Sequence, residues 1–439
     1  MEQNQKPQLI TTFSWIIYDL ANTIFSMNVV TRYFSAWLVI DLALGDHYYS
    51  LSYSFSMLLV ALTMPIIGAI SDRYHRKMPF LIAYTLICII FTALIGVAGY
   101  GISNKIVKIT WALIFFIIAN YSYQGGLVFY NAMLPNICSE RSIGRVSGYG
   151  VAVGYIGSII GLILVSPFVE GKIWGLEISF IPQGGTVASF IPTAFLFLIF
   201  ALPTFIFVKD PKFFHNNEIR RLDIKASFKK VLESISNTKK YPGVLRFLIA
   251  KFFYEDAIQT VILFMAVYIQ KVMGFSSEST TYFFILIIPS VVIGSALFGM
   301  MTDHFGPKKI LIIVLIGWII SLTVLILTMK IWLFWIIGAL IGIFLGSSQT
   351  SARPLLISLV PKEMLGEFFG LYSFSGKLAA IFGPLVWAAM VSIFNNFGNI
   401  IKYKAAIMAL NILIVVGLII LLKVPDLKKN KIIKTFQLE

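Results

Sequence analysis

Read only for hydrophobic and polar positions, the chain is a series of long apolar runs separated by short polar joints. The runs lie near 12–40, 50–70, 79–100, 109–134, 143–169, 189–208, 246–270, 279–300, 310–329, 331–356, 366–394 and 402–423. Each is close to the roughly 20 residues that a helix needs to cross the hydrocarbon core of a bilayer. The pattern predicts an all-α, polytopic membrane protein with twelve transmembrane helices. The first run is far longer than a signal-peptide core and has no small-residue cleavage site behind it, so it reads as a retained first helix.

One joint stands apart: "KDPKFFHNNEIRRLDIKASFKKVLESISNTKKYPGVL", from Lys209 to Leu245, with six runs on either side. It divides the chain into an N-terminal six-helix half (1–208), a central linker (209–245) and a C-terminal six-helix half (246–439) with a basic tail. Leu222 to Ile235 fits a basic amphipathic helix lying against anionic lipid as well as it fits a solvated linker.

The two halves repeat. "GAISDRYHRK" (Gly68 to Lys77) follows the second run and "GMMTDHFGPKK" (Gly299 to Lys309) the eighth, with Asp72 and Asp303 231 positions apart. Gly144, Gly148, Gly154 and Gly161 in the fifth run align with Gly366, Gly370, Gly376 and Gly383 in the eleventh, all at a spacing of 222. Odd runs match odd runs, so the repeats are parallel. Parallel six-helix halves with a site at their interface are an architecture of alternating-access transporters.

Composition agrees with the pattern. Hydrophobic residues make up 58%, charged residues 13%, and mean hydropathy is +0.86; a soluble domain is about a quarter charged. The net charge of +15 could signal nucleic acid, but its placement points elsewhere. With a cytosolic N-terminus and twelve spans, 25 of the 35 lysines and arginines fall on the cytosolic side and 7 on the other. That is the positive-inside rule, so no nucleic-acid partner is called for. Both termini would be cytosolic and the membrane a cell membrane. Cys88 and Cys138 form neither a disulfide framework nor a metal site. No hydrolase elbow or phosphate loop is present, and "GYGVAVG" in the fifth run is helix packing rather than a nucleotide fingerprint. Neither enzyme chemistry nor a cofactor is expected.

The loops "GAISDRYHRK" and "GMMTDHFGPKK" resemble the loop signature of the major facilitator superfamily. Within it, "YDLANT" (Tyr18–Thr23), "YNAMLPNI" (Tyr130–Ile137), "GRVSGYGVAVGYIG" (Gly144–Gly157), "FLIAKFFYEDAIQT" (Phe247–Thr260) and "GEFFGLYSFSGKLAAIFGP" (Gly366–Pro384) resemble the vacuole-effluxer-like family, whose namesake exports amino acids from the vacuole. The likeness runs in order over nearly the whole chain. It implies two rocking six-helix halves, a small-molecule substrate of amino-acid type, efflux, and gating loops at Gly68, Asp72, Arg73, Gly299 and Asp303. Three positions depart from that pattern: His75 replaces the loop's usual glycine, Leu20 a tryptophan and Ala257 a glycine.

The candidate chemistry is intramembrane. Asp19, Asn22, Thr23 and Ser26 fall at i, i+3, i+4 and i+7, one polar stripe on an apolar cylinder. Aligning "YDLANT" with "YEDAIQT" pairs Asp19 with Asp256 and Asn22 with Gln259 at a spacing of 237. Ionisable groups inside a span face the bundle interior or a watery path. Asp19, about 10 Å in, is shallow enough to be merely hydrated; Asp256, roughly 15 Å past Arg246, is not. Lys377 lies about 16 Å past Gly366, out of snorkelling reach, and needs a carboxylate from Asp256, Glu255 or a substrate. Gln124 and Gln349 add hydrogen-bonding capacity, while Arg353 suits substrate, phosphate or a loop contact. Lys251 reads as interfacial or paired with a neighbour.

These residues suggest a monomeric secondary transporter of a small polar solute, most simply an amino acid, with a proton as candidate coupling ion. Lys377 would take its carboxylate and Asp256 or Glu255 its ammonium. The alternatives are a non-transporting membrane sensor or assembly protein on the same fold, or a lipid translocator.

Overall fold

The computed structural model describes residues 9–44, 47–173, 176–177, 184–211, 241, 243–275 and 277–426. Most of the central linker, including the candidate amphipathic segment, and the basic tail lie outside them. The helices are α1 (Leu9–Phe25), α2 (His47–Arg73), α3 (Met78–Gly101), α4 (Lys105–Ile137), α5 (Ile143–Glu170), α6 (Phe190–Phe207), α7 (Val244–Val272), α8 (Ser277–Phe305), α9 (Pro307–Leu327), α10 (Ile331–Leu359), α11 (Leu365–Ile393) and α12 (Gly398–Leu422). The strand content among the described residues is one two-residue antiparallel pair, Lys172–Ile173 with Leu176–Glu177.

Eleven of these helices are long and apolar enough to cross a membrane. The exception is α1, which has 17 residues as a regular α-helix and continues to Asp41 through π-helical stretches at Ser26–Tyr33 and Trp37–Asp41. In the first, whose backbone N–H groups reach the carbonyls five residues back, the Thr31 hydroxyl likewise donates to the Ser26 carbonyl at 3.0 Å. The same stretch aims the Asn28 amide at the Gly161 carbonyl, 3.1 Å away on α5.

Chain chemistry sets the helix ends. Asn104 caps α4 by accepting from Ile106 N–H at 3.0 Å and Val107 N–H at 3.2 Å. Pro307 opens α9, where its missing N–H costs nothing. Large apolar side chains such as Leu263, Phe195, Ile293 and Ile320 are more than half exposed. That outer surface suits acyl chains and not water.

The described chain forms two compact units, bounded as Met1–Ser139 with Val153–Arg221 and as Glu140–Ala152 with Leu222–Glu439. In the first, α1 packs on α6, α2 on α4, α3 on α4 and α3 on α6; in the second, α7 packs on α12, α8 on α10, α9 on α10 and α9 on α12. Adding six to each helix number maps one set onto the other, so the sequence repeat is also a packing repeat.

Residues 140–152 join the second unit because glycines let the start of α5 lie directly on α8. A Cβ on Gly144 would meet the Gly299 carbonyl oxygen at 2.7 Å, and one on Gly299 would meet the Gly148 Cα at 3.0 Å. Gly148→Val is expected to force this crossing apart, lowering stability by about 1–3 kcal/mol. Thermal unfolding of the detergent-solubilised protein measures it against Gly101→Val, since Gly101 has open space around its Cβ position.

Candidate functional site

Around the two repeated loops, carboxylates sit on helix starts. The first N–H groups of a helix have no partner within it and carry partial positive charge. At α5, Asp303 Oδ1 accepts from Gly144 N–H at 2.6 Å and Oδ2 from Arg145 N–H at 2.9 Å. The Arg145 guanidinium stands 3.9 Å from the same carboxylate. At α3, Asp210 accepts from Lys77 N–H at 2.9 Å and Met78 N–H at 3.0 Å.

Asp72 is buried and forms its ion pair with Lys77 at 3.0 Å, while Arg73 is exposed. The Lys77 pair ties the loop to the foot of the next helix. The departure at His75 has a visible cost: its φ is +50°, a left-handed conformation where the usual glycine has no Cβ to crowd.

The second unit contains a narrow cleft between α7, α10 and α11, lined by Tyr254, Glu255, Ile258, Gln259, Ser348, Gln349, Ala352 and Tyr372. Glu255, Gln259 and Gln349 are thus brought together as the sequence suggests. The cleft also has walls that reading did not find: Ser348 and the two tyrosines. Beneath them, Lys251 is 1% exposed and is held from three sides. It pairs with Glu255 one turn along α7, donates to the Tyr372 carbonyl at 3.3 Å and sits 3.8 Å from the Tyr372 ring centroid. The aromatic face and the carboxylate both offset part of the cost of burying the ammonium. The i, i+4 spacing of Lys251 and Glu255 was its one signal in the sequence.

Asp256 points elsewhere. It is 1% exposed, and its Oδ1 accepts from Gly383 N–H on α11 at 2.8 Å, so it lines no part of the cleft. Lys377 is half-buried on α11. Gly376 lies against the Lys251 ammonium, and Gly383, seven residues further on, against Asp256 and Thr260. Asp256 is therefore more than a turn beyond the level of Lys377, which leaves Glu255 as its acidic neighbour on α7.

In the first unit, Asp19, Asn22 and Gln124 are all buried. Gly154 lies against Asp19 and Thr23, and Gly161 against Ile24 and Asn28. Because Gly154 repeats as Gly376 and Gly161 as Gly383, the structural counterpart of Asp19 is Lys251, and that of Ile24 is Asp256. The motif alignment at a spacing of 237 misplaces this helix by five residues; the packed helices correspond at 232. Around Asp19, Trp15 stacks on Tyr130 with centroids 4.2 Å apart, and the Tyr18 and Thr85 hydroxyls share a hydrogen bond. A second hydroxyl chain links Thr63, Tyr121 and Tyr84 at 3.0 and 3.2 Å.

Residues 46–432 match the family described as "Vacuole effluxer Atg22 like". The chain belongs to this family. An uncharacterized MFS-type transporter, YxiO of Bacillus subtilis (strain 168), is 28% identical over 94% of both chains. Among solved structures, a bacterial homologue of the iron transporter ferroportin in an outward-facing state superposes with a TM-score of 0.71, at 11% identity over 95% of this chain and 99% of that one. The major facilitator superfamily proton:xylose symporter XylE superposes with a TM-score of 0.67, at 14% identity over 95% of each. This vacuole effluxer Atg22-like protein is a multi-pass membrane protein with the major facilitator fold.

For the loop device of this family member, Asp303→Ala is expected to leave two first-turn donors without acceptors and to lower stability by about 1–2 kcal/mol. Asp303→Asn, which keeps one acceptor, should recover about half of that loss in the same thermal unfolding measurement.

Proposed function

We propose that the protein is a secondary transporter that moves a small polar organic solute, an amino acid by preference, by alternating access of its two halves. The observation that carries this reading is the polar lining of the α7–α10–α11 cleft, where Glu255, Gln259, Ser348 and Gln349 face one space. Hydrogen-bonding and ionisable groups at this depth are costly unless they meet protein, water or solute. Together these four offer both hydrogen-bond donors and acceptors. The family, with its effluxer description, and the MFS-type relative support transport; the amino-acid class follows the motif resemblance and the pairing of acid and base groups.

The proposed direction is outward from a cytosol that contains both termini, as the 25 to 7 distribution of basic residues favours. The proposed driving ion is the proton and its carrier Asp256. One oxygen of that carboxylate is held by Gly383, while the other is buried with no hydrogen-bond partner among the described residues.

Metabolite profiles of cells with and without the protein would nominate the amino acid. Liposomes containing the purified protein would then take it up saturably and faster with an imposed proton gradient. Glu255→Gln and Gln349→Ala should each reduce this flux about tenfold or more, the scale of one lost charge-assisted hydrogen bond. Asp256→Asn should remove the response to the gradient. Undiminished flux in Glu255→Gln and Gln349→Ala would reject the site. Binding without flux would favour a sensor.

A further inference from the structure

A larger cavity lies away from the cleft, at the foot of α5 and α8. It is open, has a volume of about 310 Å³, and is lined by Arg141, Arg145, Met300, Asp303 and His304. That is space for a charged headgroup rather than for one water. Its walls all come from the second unit. Close packing builds it: a Cβ on Gly299 would stand 3.4 Å from the Arg145 Cα, so Arg145 emerges beside Met300.

The charges of this cavity have a sign. Asp303 gives both oxygens to the Gly144 and Arg145 N–H groups of the α5 start, so its charge is turned to the helix. Glu140, next to Arg141 in the chain, pairs with Lys362 at 3.3 Å. Arg141, Arg145 and His304 are exposed, and the Arg145 side chain remains 50% exposed with its guanidinium 3.9 Å from Asp303. Two guanidiniums on one open space form a donor set that matches the oxygens of a phosphate.

What sets the cavity apart from a solvated basic patch is the surface that leads into it. Along α8, Ile293, Leu297, Met300 and His304 are exposed and follow one another by three or four residues, which puts them on one face. Gly294, Ser295, Phe298 and Thr302, on the other side of the helix, are buried. The rise from Ile293 to His304 is about 16 Å. One leaflet's share of a roughly 30 Å hydrocarbon core has nearly that thickness. An apolar stripe of acyl-chain length therefore ends on a basic cavity. A soluble anion has no use for the stripe, whereas a phospholipid uses both parts. Both joints beside the cavity belong to the side of the chain rich in lysine and arginine, the side that meets anionic lipid.

We propose that this cavity seats the phosphate of an anionic phospholipid on Arg141 and Arg145, with one acyl chain lying along Met300, Leu297 and Ile293. A net negative headgroup is preferred. The ammonium of a zwitterionic lipid would sit among Arg141, Arg145 and His304, while the carboxylate that could balance it is taken up by α5. The site shares no lining residue with the α7–α10–α11 cleft and does not depend on which solute the protein moves.

The test places the full-length protein in nanodiscs that carry a trace of phospholipid with a photoactivatable diazirine in its acyl chain. The probe is either phosphatidylglycerol or phosphatidylcholine, and peptide mass spectrometry maps the adducts. Ile313, Ile316 and Ile320 on α9, exposed apolar positions that line no part of the cavity, report ordinary boundary lipid. The ratio of anionic to zwitterionic labelling at 293–300 should exceed that at 313–320 by about tenfold, the scale of two basic groups on one anionic headgroup. Arg141→Gln with Arg145→Gln should bring the two ratios together, and Arg141→Lys with Arg145→Lys should keep part of the excess. Lys209→Gln with Lys423→Gln, an equal loss of charge at exposed lysines elsewhere, should leave it unchanged. Glycerol 3-phosphate in large excess should not displace the probe.

Equal ratios at the two helices, an excess that survives Arg141→Gln with Arg145→Gln, or one lost equally in the lysine variant would each overturn the proposal. Displacement by glycerol 3-phosphate would overturn it too, because the cavity would then serve a soluble phosphate.

Discussion

The structure is organised by one constraint: a polar group inside hydrocarbon has to find its partner within the protein or in a solute. Backbone groups meet it by being helical almost throughout. Serine and threonine side chains meet it locally, as Thr85 and Thr92 do by donating to carbonyls four residues back at 2.7 Å. Ionisable side chains cannot, and their positions therefore show where the protein has built something other than a packed helix bundle. Lys251 pairs with Glu255, and Asp303 satisfies a helix start.

Glycine placement serves the same constraint. Helices in lipid gain little from burying apolar surface against one another and depend on close backbone approach. Gly144, Gly148 and Gly299 bring α5 onto α8 until the Asp303 carboxylate reaches two backbone N–H groups. Gly376 and Gly383 bring α11 onto α7, where Lys251 and Asp256 occupy the space that a larger residue would fill. The glycine register is thus both a packing device and the ruler along which the charged residues are spaced.

The two halves show how a repeat diverges without losing its frame. Helix pairing is the same in each unit, yet position 19 carries a carboxylate and its packing counterpart, position 251, a lysine. Opposite charges at equivalent positions give the two units different chemistry on one scaffold.

The number of helices, their approximate spans, the parallel repeat and the basic bias of one set of joints could all be read in the sequence. Each depends on local composition or on periodicity that survives in one dimension: a span must be apolar over about 20 residues whatever its neighbours are. Gln259, Gln349, Glu255 and Lys377 could be picked out for the same reason, being polar where polarity is costly. Tyr254, Tyr372 and Ser348 could not, because such residues are commonplace in a membrane helix and only the facing helix gives them a task. The register of α1 against α7 misled for a related reason: two similar motifs five residues out of step satisfy the eye, and only the glycine contacts show which side chains are level. Which acid faces the cleft and which faces a backbone N–H depend on angles between helices distant in sequence. Only tertiary packing decided those.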